Sequence, residues 1–521
     1  MAPGRVLFLI AVGSLCLAAP ALAQEGGERP GQPYSEPTPG ISQDLPASDV
    51  PVDPYVRPPA DDTLTAVPVV AEADAETPLS LETILASSVR HAPAILEAFA
   101  EARAAEGRIT SAEGAFDLVF NADTYSFLSG FYDGQYLETL AIQPLANNGG
   151  RIEGGYRISR GDFPIYNDFF FTNKGGELKA KAIYALLRDR NIDARRFAVG
   201  NAELEQLIEE TEAVIVAIGV QQRALEAYNM WVGAGQQLLV YRNLLALAEA
   251  RQTGLSRQVA LGARADIILV ENEQNILRRQ ALVTRAERDV EQAANRLSLF
   301  YRTNAGRPKL PVMSQLPPRL PQLGAEVPDT MMAIMARRPD LQLIERRLDQ
   351  ARLKLQLARN ELRPKLDVFG EISNDFGAIG EGTESRDGFE TIVGLNFSIP
   401  LQQRGARGRI DATNAELRGI DFRRQRAEEQ LANTLRETRI AIDAARELAR
   451  LAAEEQERAE RLAAGERRLF EAGASDFFLV NLREEAAADA NVRRLQADFD
   501  VLARRADLAA ITADFELLGM E

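Results

Sequence analysis

The sequence predicts a mainly α-helical chain with a transmembrane β-barrel contribution, built from one unit used twice. Three observations lead there. Two stretches of 66 residues, 193–258 and 405–470, lack proline and are rich in Ala, Leu, Glu and Arg, the composition of very long helices. Segments of alternating apolar and polar residues precede each of them. A glycine break also recurs, in SRQVALGARAD (256–266) and RRLFEAGASD (467–476), with Arg257 and Arg468 each five residues ahead of Gly262 and Gly473.

Residues 1–23 read as a signal peptide: Arg5, the apolar run VLFLIAVGSLCLAAP, then Ala21-Leu22-Ala23 as a small-x-small cleavage site. The only cysteine, Cys16, lies in this segment and follows the bulky Leu15, which argues against lipoprotein processing. The exported chain then starts near Gln24 with no disulfide and no thiol chemistry. Residues 24–78 hold eleven prolines and few large apolar side chains, so they form an extended tether. Beyond the signal no apolar run reaches about eighteen residues, which excludes a spanning helix but leaves a β-barrel open. The formal net charge of −16 disfavours nucleic acid as a partner, because phosphate contacts need a basic face.

The two units, 79–301 and 330–515, are joined by a proline-rich connector, 302–329, and leave a short tail, 516–521. His91-Ala92-Pro93 matches Arg337-Arg338-Pro339 at a displacement of 246, which also sets Phe120 on Leu366, each at the start of an alternating run. Each unit is expected to run as a helix of about 35 residues (79–114; 330–362), strands, a long helix, the glycine break and a returning helix (266–301; 476–513). At 1.5 Å per residue a long helix spans roughly 100 Å, so two half-length helices stacked end to end match it. In the second long helix Leu435, Ile442, Ala449, Ala463 and Phe470 recur at seven-residue spacing beside Leu431, Ala445, Ala452 and Ala459. That period with small side chains predicts close antiparallel coiled-coil pairing, and the glycines reverse the chain at its tip. Asp266 and Asp476 are placed to cap the returning helices.

Among the strands, FETIVGLNFSIPL (389–401) sets Thr391, Val393, Leu395 and Phe397 against Glu390, Asn396 and Ser398. LDVFGEI (366–372) sets Leu366, Val368 and Ile372 against Asp367 and Glu371; ELKAKAIYAL (177–186) sets Leu178, Ala180, Ala182 and Tyr184 against Glu177, Lys179 and Lys181. Such lengths suit tilted transmembrane strands, although a half-buried strand of a soluble sheet carries the same pattern. The first unit holds about 31 extra residues near 132–162, where ANNGGR between two alternating runs predicts a β-hairpin. Both an addition to a barrel and an external loop remain open for it.

Catalytic apparatus is sparse. There is one histidine, His91, beside a proline at a helix start, no cysteine after residue 16, no phosphate loop and no G-x-S-x-G. GAIGEG (377–382) opens no helix and reads as a surface turn. The chain is expected not to be an enzyme, and to need no cofactor and no metal.

Taken with the duplicated unit, GLNFSIPLQQRGARGRI (394–410), GGELKAKAIYALLRDRNID (175–193) and RRPDLQLIERRLDQARLKLQLARNELRPKLDVFGEIS resemble the TolC family of outer-membrane efflux proteins over about Leu79 to Phe515. The resemblance implies a homotrimer, an α-barrel below a shared β-barrel in outer-membrane lipid, and docking to a periplasmic adaptor and an inner-membrane transporter, for efflux or type I secretion. It also implies adaptor contact at an R-x-x-x-V-G-L tip, matched here with departures by Arg257, Leu261, Gly262 and Ala263, and by Arg468, Ala472, Gly473 and Ala474. Where the family narrows its tunnel with aspartates, Ile268, Glu271, Phe478 and Asn481 stand; Phe477 or Phe478 either builds part of a constriction here or packs between helices. Lys179, Lys181, Asp367 and Glu371 become lumen-facing charges of mixed sign. The alternative is a periplasmic coiled-coil scaffold without a pore. It explains the helices and the export signal, but not the clean strand alternation or the paired glycine tips.

Overall fold

The computed structural model describes residues 77–321, 330–380 and 388–520, all within the compact unit Thr63–Glu521. The signal segment, nearly all of the proline-rich tether, and residues 322–329 of the connector lie outside the described residues, as do Glu381 and Gly382 of the GAIGEG turn.

The first unit begins with α1 (Leu81–His91) and α2 (Pro93–Glu113), continues through β1 (Val119–Ser126), β2 (Gln135–Pro144), β3 (Arg151–Arg160) and β4 (Glu177–Ala185), and ends with α3 (Ala194–Ala260) and α4 (Ile267–Leu297). The second repeats the order with α5 (Met331–Arg337), α6 (Pro339–Glu361), β5 (Lys365–Asp375), β6 (Phe389–Ser398), α7 (Arg404–Glu471) and α8 (Phe477–Thr512). The helices α3 and α7, of 67 and 68 residues, run for about 100 Å each.

The opening helices expected over 79–114 and 330–362 are each broken in two. Ala92 (φ −68°, ψ 121°) and Arg338 (φ −67°, ψ 116°) are extended because the ring of the following proline, Pro93 or Pro339, excludes the helical region from its predecessor. Each proline then serves as the first residue of the next helix, where its missing N–H costs nothing. His91 is consequently the last residue of α1 rather than a residue at a helix start.

Packing follows the sequence rows. In α7, Leu431, Leu435, Ile442, Ala445 and Ala463 are buried, and α7 packs along α8 and α6. Along α3 the apolar residues Ala217, Val220, Leu225, Trp231 and Leu238 are buried in turn, against α1 and α2 on one half and α4 on the other. The largest cluster sits at the middle of α3, where Trp231 and Tyr228 meet Leu79, Leu297 and Tyr301, and the Tyr228 hydroxyl donates to the Leu79 carbonyl at 2.7 Å. Fully burying side chains of this size contributes about 1.5–3 kcal/mol each, so this cluster anchors the junction where stacked helices meet end to end.

All six strands form one antiparallel sheet in sequence order, β1 to β6. Within the sheet the two units meet at the β4–β5 pair, in which Lys181 faces Glu371 and Ala185 faces Asp367, while α3 packs on α6 and α8. The hairpin of the extra segment is β2–β3, with Gly149 at its turn in the left-handed region (φ 62°), and it lies within the sheet between β1 and β4.

Candidate functional site

Strand alternation divides the sheet into two chemically distinct faces. One carries a large apolar side chain from every strand: Phe120, Leu137, Ile152, Leu178, Ile372 and Leu395, all exposed. An apolar face this continuous, left open to the surroundings, marks a surface made for lipid or another apolar partner. Among the described residues no helix is long and apolar enough to cross a membrane.

The opposite face is a ladder of charges. Lys181 pairs with Glu371 at 2.9 Å and lies over the Phe369 ring at 4.9 Å from its centre. Arg157 pairs with its cross-strand neighbour Glu177 at 2.6 Å, and Lys179 pairs with Glu138. Asp367 is nearly buried beside Lys365, 3.4 Å away. The four charges singled out from the sequence therefore share one face, and each has an opposite charge beside it. Neutralised in pairs, they leave this face without a strong field of either sign.

At the far end of the long helices the two glycine breaks adopt one geometry. Gly262 N–H donates to Val259 O (2.8 Å) and Ala263 N–H to Gln258 O (2.9 Å); Gly473 N–H donates to Phe470 O (3.0 Å) and Ala474 N–H to Leu469 O (2.8 Å). These are paired Schellman caps, which need a left-handed residue just past the helix. Both glycines supply it, with φ of 71° and 78°, and a Cβ on either would meet nothing within 4 Å, so the backbone angle alone demands glycine. Arg257, Leu261 and Ala263, with Arg468, Ala472 and Ala474, stand exposed around the two turns.

The two aspartates that follow differ. Asp476 is extended and accepts a hydrogen bond from Leu479 N–H at 2.7 Å, closing the start of α8. Asp266 makes no such cap, which corrects the expectation from sequence. Its own backbone is already helical (φ −55°, ψ −30°), with Leu269 N–H bonded to its carbonyl at 3.0 Å, rather than in the extended conformation from which a cap side chain reaches the free N–H groups.

The residues expected to narrow a tunnel also divide. Ile268 and Phe477 pack with Leu255 inside the tip, and Phe470 lies 6.5 Å from the Phe477 ring centre, so these two serve helix packing. Phe478 and Glu271 are exposed. Adjacent helical residues point about 100° apart, which is why Phe477 turns inward and Phe478 outward. Asn481 is buried and accepts hydrogen bonds from Arg251 (2.7 Å) and Arg279 (3.4 Å).

Asn481 belongs to a buried polar cluster that the sequence did not reveal. Glu484, one turn further along α8, takes Arg251 of α3 at 2.5 Å, Arg279 of α4 at 3.2 Å and Arg467 of α7 at 3.3 Å. Arg279 is itself buried and also donates to the Leu244 carbonyl at 2.8 Å. Burial lowers its pKa and Glu484 opposes that shift, so the guanidinium keeps its charge. All four helices at this end are tied through one carboxylate. The available signal was the i, i+3 spacing of Asn481 and Glu484 on one helix face, but their partners on α3 and α4 lie 202 or more residues away.

Comparison with known proteins agrees with this architecture. Residues 332–514 match the family described as Outer membrane efflux protein. Among solved structures, the open state of the Neisseria gonorrhoeae MtrE outer membrane channel is similar over 86% of this chain and 95% of that chain, with 15% identity and a TM-score of 0.59. A membrane protein from Pseudomonas aeruginosa matches over 85% of this chain and 98% of that chain (14% identity, TM-score 0.58). The Vibrio cholerae outer membrane protein VceC matches over 84% and 96% (15% identity, TM-score 0.56). No curated protein matches the sequence. At these identities the structural likeness establishes the fold.

Proposed function

We propose that three copies of this chain, whose residues 332–514 match the outer membrane efflux protein family, form an outer-membrane channel continued by a long periplasmic tunnel. The observation that carries the reading is the two-faced sheet, apolar on one side and charge-paired on the other, set directly on helices about 100 Å long. A strand pair in lipid must have no free edge, and one copy leaves β1 and β6 open, so several copies must complete the barrel.

In this reading the exposed tips around Gly262 and Gly473 receive a periplasmic adaptor, which couples the tunnel to an inner-membrane transporter. Phe478 and Glu271 face the tunnel mouth, and Lys179, Lys181, Asp367 and Glu371 line the aqueous bore. Residues 1–23 direct export, and the proline-rich segment to residue 78 is a tether. The chain works as a conduit and carries out no catalysis; its family is one of channels rather than enzymes.

Fractionation of the expressing cells tests this against a pore-free periplasmic scaffold. The channel is released only by detergent, as an oligomer about three times the chain mass. Release of a monomer by osmotic shock or salt alone would sink the channel and favour the scaffold.

A further inference from the structure

We infer that β2 and β3 are wall strands of the barrel, so that three copies close an eighteen-stranded pore as wide as the helical tunnel beneath it. The inference rests on the channel reading above and adds the bore and the way copies join.

The hairpin is built into the sheet by side-chain chemistry on both neighbours. Arg157 of β3 pairs with Glu177 of β4, and Lys179 of β4 reaches across β3 to Glu138 of β2. That crossing passes over Gly155, which sits opposite both Leu140 and Lys179; a Cβ there would come within 3.2 Å of the Lys179 side chain. The hairpin's apolar side, Ile152 and Tyr156, continues the exposed apolar face of β4 without a step. An external loop would need neither the bridged charges nor the shared apolar face.

Edges and parity fit closure by further copies of this chain. β1 is exposed along its whole length and β6 along nearly all of it, while β2 to β5 are partly covered. With six strands alternating in direction, β6 of one copy runs antiparallel to β1 of the next, so the ring closes in one uniform pattern.

Width supports the count. Strands about 4.8 Å apart and tilted about 40° occupy roughly 38 Å of circumference for six strands and roughly 25 Å for four. Each copy also supplies four helical columns: α3, α7, and the stacked pairs of shorter helices. Columns spaced 8–10 Å apart occupy roughly 32–40 Å. Six strands therefore continue the helical wall at equal width, whereas four would force a taper. Barrels of about 16–18 strands hold an open aqueous channel.

Electron cryomicroscopy of the detergent-extracted oligomer counts the strands directly. Single cysteines, in a chain whose Cys16 is replaced, report hairpin placement in intact cells without requiring any deletion to fold. The expected result is eighteen strands, with a water-soluble maleimide failing to label Ile152→Cys and Tyr156→Cys while it labels Glu153→Cys and Arg157→Cys. A closed twelve-stranded ring with all four cysteines labelled would overturn the wide barrel and leave the channel standing. Absence of any closed ring would overturn both.

Discussion

Glu484 is the carboxylate on which the tip depends, and replacing it gives a quantitative test. In Glu484→Gln the side chain keeps its shape but loses the charge that faces Arg279, itself 1% exposed, and Arg251 and Arg467. Removing one partner of a buried pair costs about 3–5 kcal/mol, mostly from the cation left behind. The low end applies here, because Arg279 keeps the Leu244 carbonyl and Asn481, and Arg467 is 38% exposed and can hydrate. About 3 kcal/mol corresponds to roughly a hundredfold shift in the local opening equilibrium. The opening concerns α7 and α8 against α3 and α4, since a cleft of about 1130 Å³ between α3, α7 and α8 begins beside Glu484 and Arg467, and on the other side of the cluster the apolar packing that joins them at the tip is that of Leu255, Ile268 and Phe477. Hydrogen exchange of residues 470–484 in the detergent-extracted protein should therefore rise about a hundredfold, with exchange around Trp231 unchanged. Arg251→Met, Arg279→Met and Glu484→Met together should restore protection, because apolar side chains of similar volume replace the buried ion cluster at little cost, whereas Glu484→Met alone leaves two buried cations. Equal exchange in the single and triple variants, or a rise spread evenly over the chain, would refute the idea that this cluster holds the tip closed.

Other positions give independent tests. Ala180→Arg puts a cation at the centre of the apolar face and should cost about 2–4 kcal/mol of membrane stability, read as loss of assembled oligomer, whereas Lys179→Gln on the opposite face should assemble normally. Gly473→Ala forces a left-handed conformation costing about 1–2 kcal/mol and should raise hydrogen exchange at 469–476 without altering the β-sheet. Phe478→Ala should raise single-channel conductance, while Phe477→Ala should instead lower stability by about 3–5 kcal/mol through the cavity it leaves. His91 has its pKa held below the ordinary value of 6.5 by burial, Arg90 and Arg302. The unfolded chain thus binds more protons just below pH 6.5, so stability falls as pH drops through that window, and His91→Gln should flatten the thermal midpoint between pH 7.5 and 5.

What the sequence made legible was local. Gly262 and Gly473 stood out because a left-handed turn admits few other residues, and the rows in α7 because a seven-residue period survives without knowledge of the partner. The alternation in β4, β5 and β6 was equally visible, since two faces in unlike surroundings impose a period of two. Breaks before Pro93 and Pro339 were missed because a proline suits a first helical turn; the decisive constraint falls on Ala92 and Arg338, the residues before it. Asp266 and Asp476 look alike in sequence, and only the backbone angle separates a capping aspartate from a helical one. Placement of the 132–162 hairpin and the Arg251–Arg279–Glu484 cluster depend on pairings between distant segments, which no local pattern encodes.

The central claim is that this chain makes a membrane-spanning aqueous passage. Single-channel recording of the detergent-extracted oligomer in a planar bilayer tests it most directly. The account predicts discrete, long-lived conductance steps that weaken or vanish with Ala180→Arg, which blocks insertion, and persist with Lys179→Gln. An intact oligomer that inserts yet passes no current, or conductance unaffected by Ala180→Arg, would contradict it.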